Sequence, residues 1–299
     1  MSKKYTFSVV GGDHRQVVII RMLLSRGHCV KVFSLASPTS AIEGAEICSS
    51  LEKALTDSDV ILLPLPMSRD RTNLNLTAQD CNVGIHDLIK ICSRNDACII
   101  FGGLIGNEAK AYAEDAKATL IDYYNFEDLQ QRNALPSAEG AIMVAMENTD
   151  RVIEGMRVLI CGYGRIGKLL ADKMKRLGAS VSVAARRDEI LCEIAMAGFE
   201  AVDLRQINDL IRASQGCEVI FNTIPSQIFT RQVVEKIVGD PLYIEIASAP
   251  GGIDLQSARE RKMRIIFAPS LPGRYAPASA GEYIFETIKD ILSKRGMDI

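Results

Sequence analysis

The sequence predicts an α/β protein of two doubly wound parallel-sheet domains, of which the second is a Rossmann dinucleotide-binding domain. Short apolar runs, each ending in a turn-forming stretch, alternate along the chain with segments of helical period. A glycine-rich turn, G-x-G-x-x-G, lies between one such run and the helix that follows it. At 299 residues the chain exceeds the usual length of one domain, so two domains are expected.

The first domain is predicted from five apolar runs that read as parallel strands. These runs cover residues 5–10, 29–33, 60–63, 98–101 and 119–123. The motifs GGDHR, PLP and FGGLIG follow three of them. Because the carboxyl ends of parallel strands line the ligand crevice of such a sheet, these motifs are expected to converge there. The segment between Pro66 and Gly84 lacks a sustained period and is predicted to be a long loop of the kind that often binds ligands.

The second domain begins after residues 133–136, where Asn-Ala-Leu-Pro is predicted to break the chain. A linking helix is expected over residues 137–150, with Ser137 as its cap. Six strands with the order 3-2-1-4-5-6 are expected at residues 158–161, 180–185, 200–202, 218–221, 242–246 and 264–267. A Pro- and Gly-rich crossing then leads to a C-terminal helix that returns to the first domain. The predicted domains are residues 1–136 with 279–299, and residues 137–278.

The glycine-rich turn predicts a dinucleotide site. Gly162 permits the tight turn, Gly164 lets the backbone approach a pyrophosphate, and Gly167 lets the helix pack against the strand. The free amides of the helix that starts at Arg165 and Ile166 are expected to face the phosphates. The residues Thr223 and Pro225, in the motif FNTIP, end a neighbouring strand at the same edge. A glycine-rich turn without a ligand is the alternative, but the flanking strand and helix favour the cofactor.

The end of the next strand indicates which cofactor binds. An acidic residue there would bind the ribose 2′-hydroxyl of NAD, whereas the sequence has Ala-Ala followed by Arg186 and Arg187. Two guanidinium groups in place of a carboxylate predict a site for the 2′-phosphate of NADP. The alternative is that Arg186 and Arg187 are a solvated surface pair.

Composition predicts a small-molecule partner and a cytoplasmic protein. The formal net charge of −2 and the pI near 6.0 offer no general attraction to nucleic acid or to an anionic membrane. No apolar run reaches the length of a membrane span, and the N-terminus enters a strand without a signal sequence. The eight cysteines form no C-x-x-C pair and are expected to be reduced and mostly buried, including Cys29. Three scattered histidines predict no metal site.

Six separated motifs extend the prediction to a family. The motifs GGDHRQ, LPSAEGAIMVAMENTD, ICGYGRIG with AARR, FNTIP, ASAPGGID and PSLPGRYAPASAGE together resemble the A subunit of dipicolinate synthase from spore-forming bacteria. The resemblance implies oxidation of dihydrodipicolinate to dipicolinate in the mother cell during sporulation, together with a flavoprotein-like B subunit. The D-2-hydroxyacid dehydrogenases are wider relatives with the same two-domain plan. A homo-oligomer stays open.

The substrate of this family is a planar ring with two carboxylates, which arginine recognises well because its planar fork meets a carboxylate bidentately. The candidates are Arg15 in GGDHR and Arg274 in LPGRY, although Arg274 in a loop also reads as a surface residue. Asp13 is expected to orient Arg15 or to act as the base, with Glu139 as a further alternative.

Two other functions remain open from the sequence. Residues 269–281 hold no histidine where the hydroxyacid dehydrogenases carry their catalytic one, which disfavours a 2-hydroxyacid dehydrogenase. A non-catalytic NADP-binding scaffold subunit is the other alternative, because the sequence shows no unmistakable acid-base pair.

Overall fold

A computed structural model describes residues 3–36, 42–76, 82–95 and 98–299. The chain divides into two compact units, Met1–Asn133 with Ala276–Ile299, and Ala134–Tyr275. Within the described ranges, no helix has the length and apolar character needed to cross a bilayer.

The strands and helices of both units have the following bounds. The strands are β1 (Thr6–Val10), β2 (Cys29–Phe33), β3 (Glu46–Ile47), β4 (Val60–Leu62), β5 (Ile99–Gly102), β6 (Thr119–Asp122), β7 (Arg157–Cys161), β8 (Ser180–Ala185), β9 (Glu200–Asp203), β10 (Val219–Asn222), β11 (Leu242–Glu245) and β12 (Ile265–Phe267). The helices are α1 (His14–Ser25), α2 (Leu51–Leu55), α3 (Ile85–Cys92), α4 (Asn107–Asp115), α5 (Glu127–Glu147), α6 (Arg165–Arg176), α7 (Asp188–Met196), α8 (Ile207–Ser214), α9 (Arg231–Val234), α10 (Leu255–Glu260), α11 (Leu271–Tyr275) and α12 (Pro277–Ser293).

The first unit is built around a parallel sheet of strand order β3-β2-β1-β4-β5-β6. Its central strands bury both faces, so Phe7, Val9 and Phe101 are fully enclosed. Helix α12 returns to this unit and packs on α1. A Cβ at Gly281 would lie 2.7 Å from the Arg15 carbonyl oxygen, so only glycine permits this close approach. The predicted return of the C-terminal helix is therefore confirmed.

The second unit repeats the topology with the order β12-β11-β10-β7-β8-β9. Counted along this unit, the order is the predicted 3-2-1-4-5-6. The central strand β7 is buried from Val158 to Cys161, and its neighbours β8 and β10 are buried over residues 183–185 and 219–222. The α/β class and the doubly wound parallel sheets predicted from the sequence are confirmed.

The predicted linking helix over residues 137–150 is wrong in its start, because α5 begins at Glu127 and runs through Pro136. Ser137 is thus inside the helix and does not cap it. A proline in a helix interior costs about 3 kcal/mol. The helix continues because both sides of the proline are anchored: Leu129 lies in the core of the first unit, and Ala138 lies in the core of the second.

Three other predictions differ from the structure. The first sheet has six strands instead of five, because β3 is only two residues long and carries no apolar run. Arg274 lies in the short helix α11 and not in a loop. Cys29 is exposed, because the side chains of β2 alternate between solvent and core and Cys29 faces solvent. Residues 77–81 of the predicted long loop lie outside the described residues.

Candidate functional site

The motif at the turn between β7 and α6 has three glycines, of which Gly162 and Gly167 are required by close contacts. Gly162 has a positive φ of 101°, and a Cβ there would lie 2.2 Å from the Thr223 hydroxyl oxygen. A Cβ on Gly167 would lie 2.1 Å from the Gly162 carbonyl oxygen, so this glycine lets α6 start directly against the turn. The Thr223 hydroxyl donates to the Cys161 carbonyl at 2.9 Å, which ties the end of β10 to the end of β7.

Gly164 is different because the space in front of it is open. It is the N-cap of α6, with no side chain bonded to the helix amides, and no atom outside its local chain lies within 4 Å of a Cβ built there. A helix N-terminus without a side-chain cap leaves backbone N–H groups free for an anion. Arg165 and Ile166 form its first turn, with Arg165 exposed and Ile166 half-buried against the core. This geometry fits a pyrophosphate of a dinucleotide.

The first unit lacks such an opening at the corresponding turn. Asp13 caps α1: its side chain accepts from the Arg15 amide at 3.0 Å, and its own amide donates to Gln16 Oε1 at 2.9 Å. The carboxylate therefore occupies the place that a phosphate takes at an uncapped helix. The GGDHR turn is thus not a second dinucleotide site of the same kind.

Asp13 and Arg15 form a close pair at the carboxyl edge of the first sheet. The Arg15 guanidinium donates through Nε and Nη2 to the two Asp13 carboxylate oxygens, at 2.9 and 2.7 Å. Nη2 also donates to the Leu65 carbonyl at 2.6 Å. Arg15 is 4% exposed, whereas the Asp13 side chain is 36% exposed. Arg15 therefore holds Asp13 and the PLP motif, and the accessible group of the pair is the carboxylate.

The three motifs predicted to converge do contact one another. Besides the bond from Arg15 to Leu65, the Gly103 amide donates to the Pro64 carbonyl at 3.2 Å, and the Met67 amide donates to the Gly103 carbonyl at 2.7 Å. Asp122 at the end of β6 fixes the FGGLIG turn by accepting from two of its amides, those of Leu104 and Ile105. Sequence reasoning missed Asp122, although a carboxylate that ends an apolar strand was a usable signal.

The two remaining catalytic candidates lie in the second unit. Glu139, on α5, forms a salt bridge with Lys173 Nζ at 2.9 Å, and both side chains are partly exposed. Arg274 is exposed, with its guanidinium carbon 5.2 Å from the centroid of the Tyr275 ring. The Tyr275 hydroxyl donates to Glu147 at 3.0 Å. Glu139 is thus engaged with a cation, whereas Arg274 is exposed to solvent beside the Tyr275 ring.

Arg186 and Arg187 follow β8 and are both exposed. Within the described part of the chain, neither side chain makes a hydrogen bond or an ion pair. The nearby carboxylates are engaged elsewhere: Arg205 binds both Asp188 and Asp203, at 2.5 and 2.8 Å. Asp203 pairs in register with Ala185, the residue before Arg186. Both acidic groups beside this strand end are therefore paired with a third arginine, Arg205.

A buried carboxylate that sequence reasoning missed lies two strands away from the cofactor turn. Glu245, at the end of β11, is 3% exposed and accepts from Asn222 Nδ2 at 2.7 Å and from the Gly252 amide at 2.7 Å. It also accepts from the Tyr243 hydroxyl at 3.2 Å, and burial raises the pKa of that phenol. Glu245 thereby joins the end of β10, next to Thr223, to the loop after β11. Pro225, further along the same loop as Thr223, is exposed.

The two parts of the chain match two different protein families. Residues 6–124 match the family described as the N-terminal domain of the dipicolinate synthase A subunit. Residues 136–267 match the family described as S-adenosyl-L-homocysteine hydrolase, NAD binding domain. The second match agrees with the open glycine-rich turn and shows a nicotinamide dinucleotide-binding domain of the kind found in oxidoreductases.

Whole-chain comparisons agree with the first of these families. The chain is 28% identical to the dipicolinate synthase A subunit of Bacillus subtilis strain 168, over 96% of this chain and 95% of that protein. The crystal structure of the dipicolinate synthase A subunit from Bacillus halodurans superposes with a TM-score of 0.85 at 28% identity, covering 98% of both chains. The Bacillus subtilis crystal structure gives 0.82 at 28% identity, covering 98% of this chain and 97% of the other. Over nearly its whole length the chain is therefore similar, in sequence and in fold, to dipicolinate synthase A subunits.

Proposed function

We propose that this chain oxidises dihydrodipicolinate to dipicolinate with NADP⁺ as the hydride acceptor. The observation that carries the proposal is the open, uncapped turn at Gly164, in a chain whose whole length matches the dipicolinate synthase A subunit. The turn supports dinucleotide binding by this chain itself, and the family supplies the substrate class.

The preference for NADP rests on the charges at the end of β8. Arg186 and Arg187 are exposed cations, while Asp188 and Asp203 share the single charge of Arg205, so these three arginines and two aspartates carry one net positive charge. An arginine that pairs with a phosphate forms charge-assisted hydrogen bonds worth about 1.5 to 3 kcal/mol. An unpaired carboxylate at the same place would repel the 2′-phosphate. The arrangement therefore favours NADP over NAD.

The reaction removes a hydride and a proton from the dihydropyridine ring. A bound nicotinamide would accept the hydride. The proton needs a base, and the accessible carboxylate of Asp13, held by Arg15 and by the first amides of α1, is the proposed acceptor. Because the ring becomes aromatic, the demand on this base is lower than in the oxidation of an alcohol, so no histidine is required. Arg15 acts by positioning Asp13.

The family also supports a partner and a compartment. Its name describes one subunit of a synthase, so we propose that the chain works with the B subunit of dipicolinate synthase in the mother-cell cytoplasm during sporulation. Co-purification of the two tagged subunits from one host tests the partnership.

Turnover by the purified chain tests the proposed function. Freshly generated dihydrodipicolinate and NADP⁺ are expected to yield NADPH in proportion to the substrate consumed, with the chain alone or with the B subunit. Tight NADP⁺ binding without NADPH formation under either condition would favour the scaffold function instead. A screen of 2-hydroxy acids is expected to give no NADPH.

A further inference from the structure

Two arginines at the carboxyl edge of the first sheet have no assigned role. Arg69 and Arg71 lie on the loop after β4, and both side chains are exposed. Among the described residues, neither guanidinium forms a hydrogen bond or an ion pair. This distinguishes them from Arg15 on the same edge, whose guanidinium is bound to Asp13 and Leu65.

Both arginines line a cavity of about 550 Å³ between the loop after β4 and the start of α4. Its apolar lining includes Met67, Ile85 and Ile105, all of them buried. Its charged lining consists of the two arginines and Glu108, so positive charge exceeds negative. Such a cavity exceeds the volume of a single six-membered ring with two carboxylates and offers an apolar wall to the ring face.

The loop that carries the arginines is fixed in place by its own hydrogen bonds. Asp70, between them, accepts from the amides of Asn73 and Thr72 at 2.7 and 2.9 Å and from the Ser68 hydroxyl at 3.1 Å. Hydrogen bonds, chiefly those from Asn73, hold the pKa of the Asp70 carboxyl below its usual range. The carboxylate therefore acts on its own loop, and the two neighbouring guanidinium groups remain available to a ligand.

A cavity of nearly equal size at the opposite edge provides a contrast. It has a volume of about 560 Å³ and is lined mostly by residues that precede β4 and β5, among them Asp57, Arg94 and Cys98. Ligands of open parallel sheets bind at the carboxyl ends of the strands and not at the amino ends. Both cavities contain an exposed arginine, but only the cavity lined by Arg69 and Arg71 lies at the edge of the sheet where such ligands bind.

We propose that the cavity lined by Arg69 and Arg71 binds the planar dicarboxylate ring of the substrate and of the product, with the guanidinium groups of both arginines on the carboxylates. Arginine is suited to this because its fork meets a carboxylate with two parallel hydrogen bonds. The apolar wall of Met67 and Ile105 faces the ring. This inference rests on the proposed function, since it names where that substrate is bound.

Calorimetric titration with dipicolinate, the stable product, tests the site in the full chain, with and without NADP⁺. Arg69→Ala and Arg71→Ala are each expected to weaken dipicolinate binding at least about ten-fold, because each removes a charge-assisted contact. Arg94→Ala is the matched control: it removes an exposed arginine of the same unit from the opposite cavity, and it is expected to leave the affinity unchanged. NADP⁺ affinity is expected to be unchanged in all three variants.

The outcomes separate this inference from the proposed function. The site is overturned if Arg69→Ala or Arg71→Ala binds dipicolinate as tightly as the wild-type chain, or if Arg94→Ala weakens binding equally. This holds even when the wild-type chain forms NADPH from dihydrodipicolinate. Absence of NADPH formation from a wild-type chain that binds dipicolinate through these arginines overturns the proposed function and leaves the site standing. Loss of binding confined to the two cavity variants supports the site.

Discussion

Replacement of Gly164 by valine is expected to abolish NADP binding while the fold stays intact. The backbone of Gly164 is extended, with φ −85° and ψ −162°, which any residue adopts, and a Cβ there meets no atom within 4 Å. The folding cost is therefore limited to the poorer N-cap, about 1 kcal/mol, or roughly 2 to 4 °C in melting temperature. The branched side chain, however, fills the space in front of the free amides of α6.

The loss of affinity follows from the contacts that the valine prevents. One charge-assisted hydrogen bond between a helix amide and a phosphate contributes about 1.5 to 3 kcal/mol, so the loss of even one weakens NADP by roughly ten- to a hundred-fold. Fluorescence titration with NADPH and thermal melting of the same sample measure both quantities. Gly167→Ala is the contrasting variant: its Cβ would lie 2.1 Å from a backbone oxygen, so its melting temperature is expected to fall. Wild-type NADPH affinity in folded Gly164→Val would refute the assignment of the turn.

Three further predictions address cofactor choice, the base and the thiols. Arg186→Ala is expected to weaken NADP about ten-fold and to leave NAD nearly unchanged, because it removes a contact to the 2′-phosphate; equal loss of both in a titration would make Arg186 structural. Asp13→Asn keeps an oxygen that caps α1 but leaves the buried Arg15 without its carboxylate, so it is expected to lower the melting temperature and, in the protein that stays folded, to lower kcat by about 10²-fold or more; unchanged turnover by the folded variant would exclude Asp13 as the base. Thiol labelling of the native protein at neutral pH, followed by peptide mapping, is expected to modify the exposed Cys29 and Cys192 and to spare the buried thiols. Burial raises the pKa of the Cys92 thiol to about 12 and the pKa values of the Cys98 and Cys217 thiols to about 11, so these groups stay protonated.

Local patterns in the sequence were sufficient for the glycine-rich turn and the strand order of the second unit. The roles of Gly162 and Gly167 are steric and involve residues within a short stretch of chain, so the fingerprint alone predicts them. The strand order follows because each apolar run is followed by a helix, and such units wind in one hand. The geometry at Gly164 agrees with its expected place in front of a pyrophosphate.

Features that depend on distant parts of the chain were not predictable. The burial of Arg15 depends on the Leu65 carbonyl, fifty residues away, so the sequence alone presents a free arginine. Glu245 depends on Asn222, 23 residues earlier, and on Gly252. Helix α5 passes through Pro136 because cores in two units bury its two halves, which local helix rules do not include.

The measurement that tests the central claim most directly is the simultaneous yield of NADPH and dipicolinate from dihydrodipicolinate. NADPH is followed by absorbance and dipicolinate by chromatography, with Gly164→Val as the control that cannot hold the cofactor. The account predicts equal amounts of the two products with the wild-type chain, above the spontaneous oxidation of the substrate, and neither in excess of that background with Gly164→Val. Dipicolinate formed at the same rate by both proteins, or without NADPH, would contradict it.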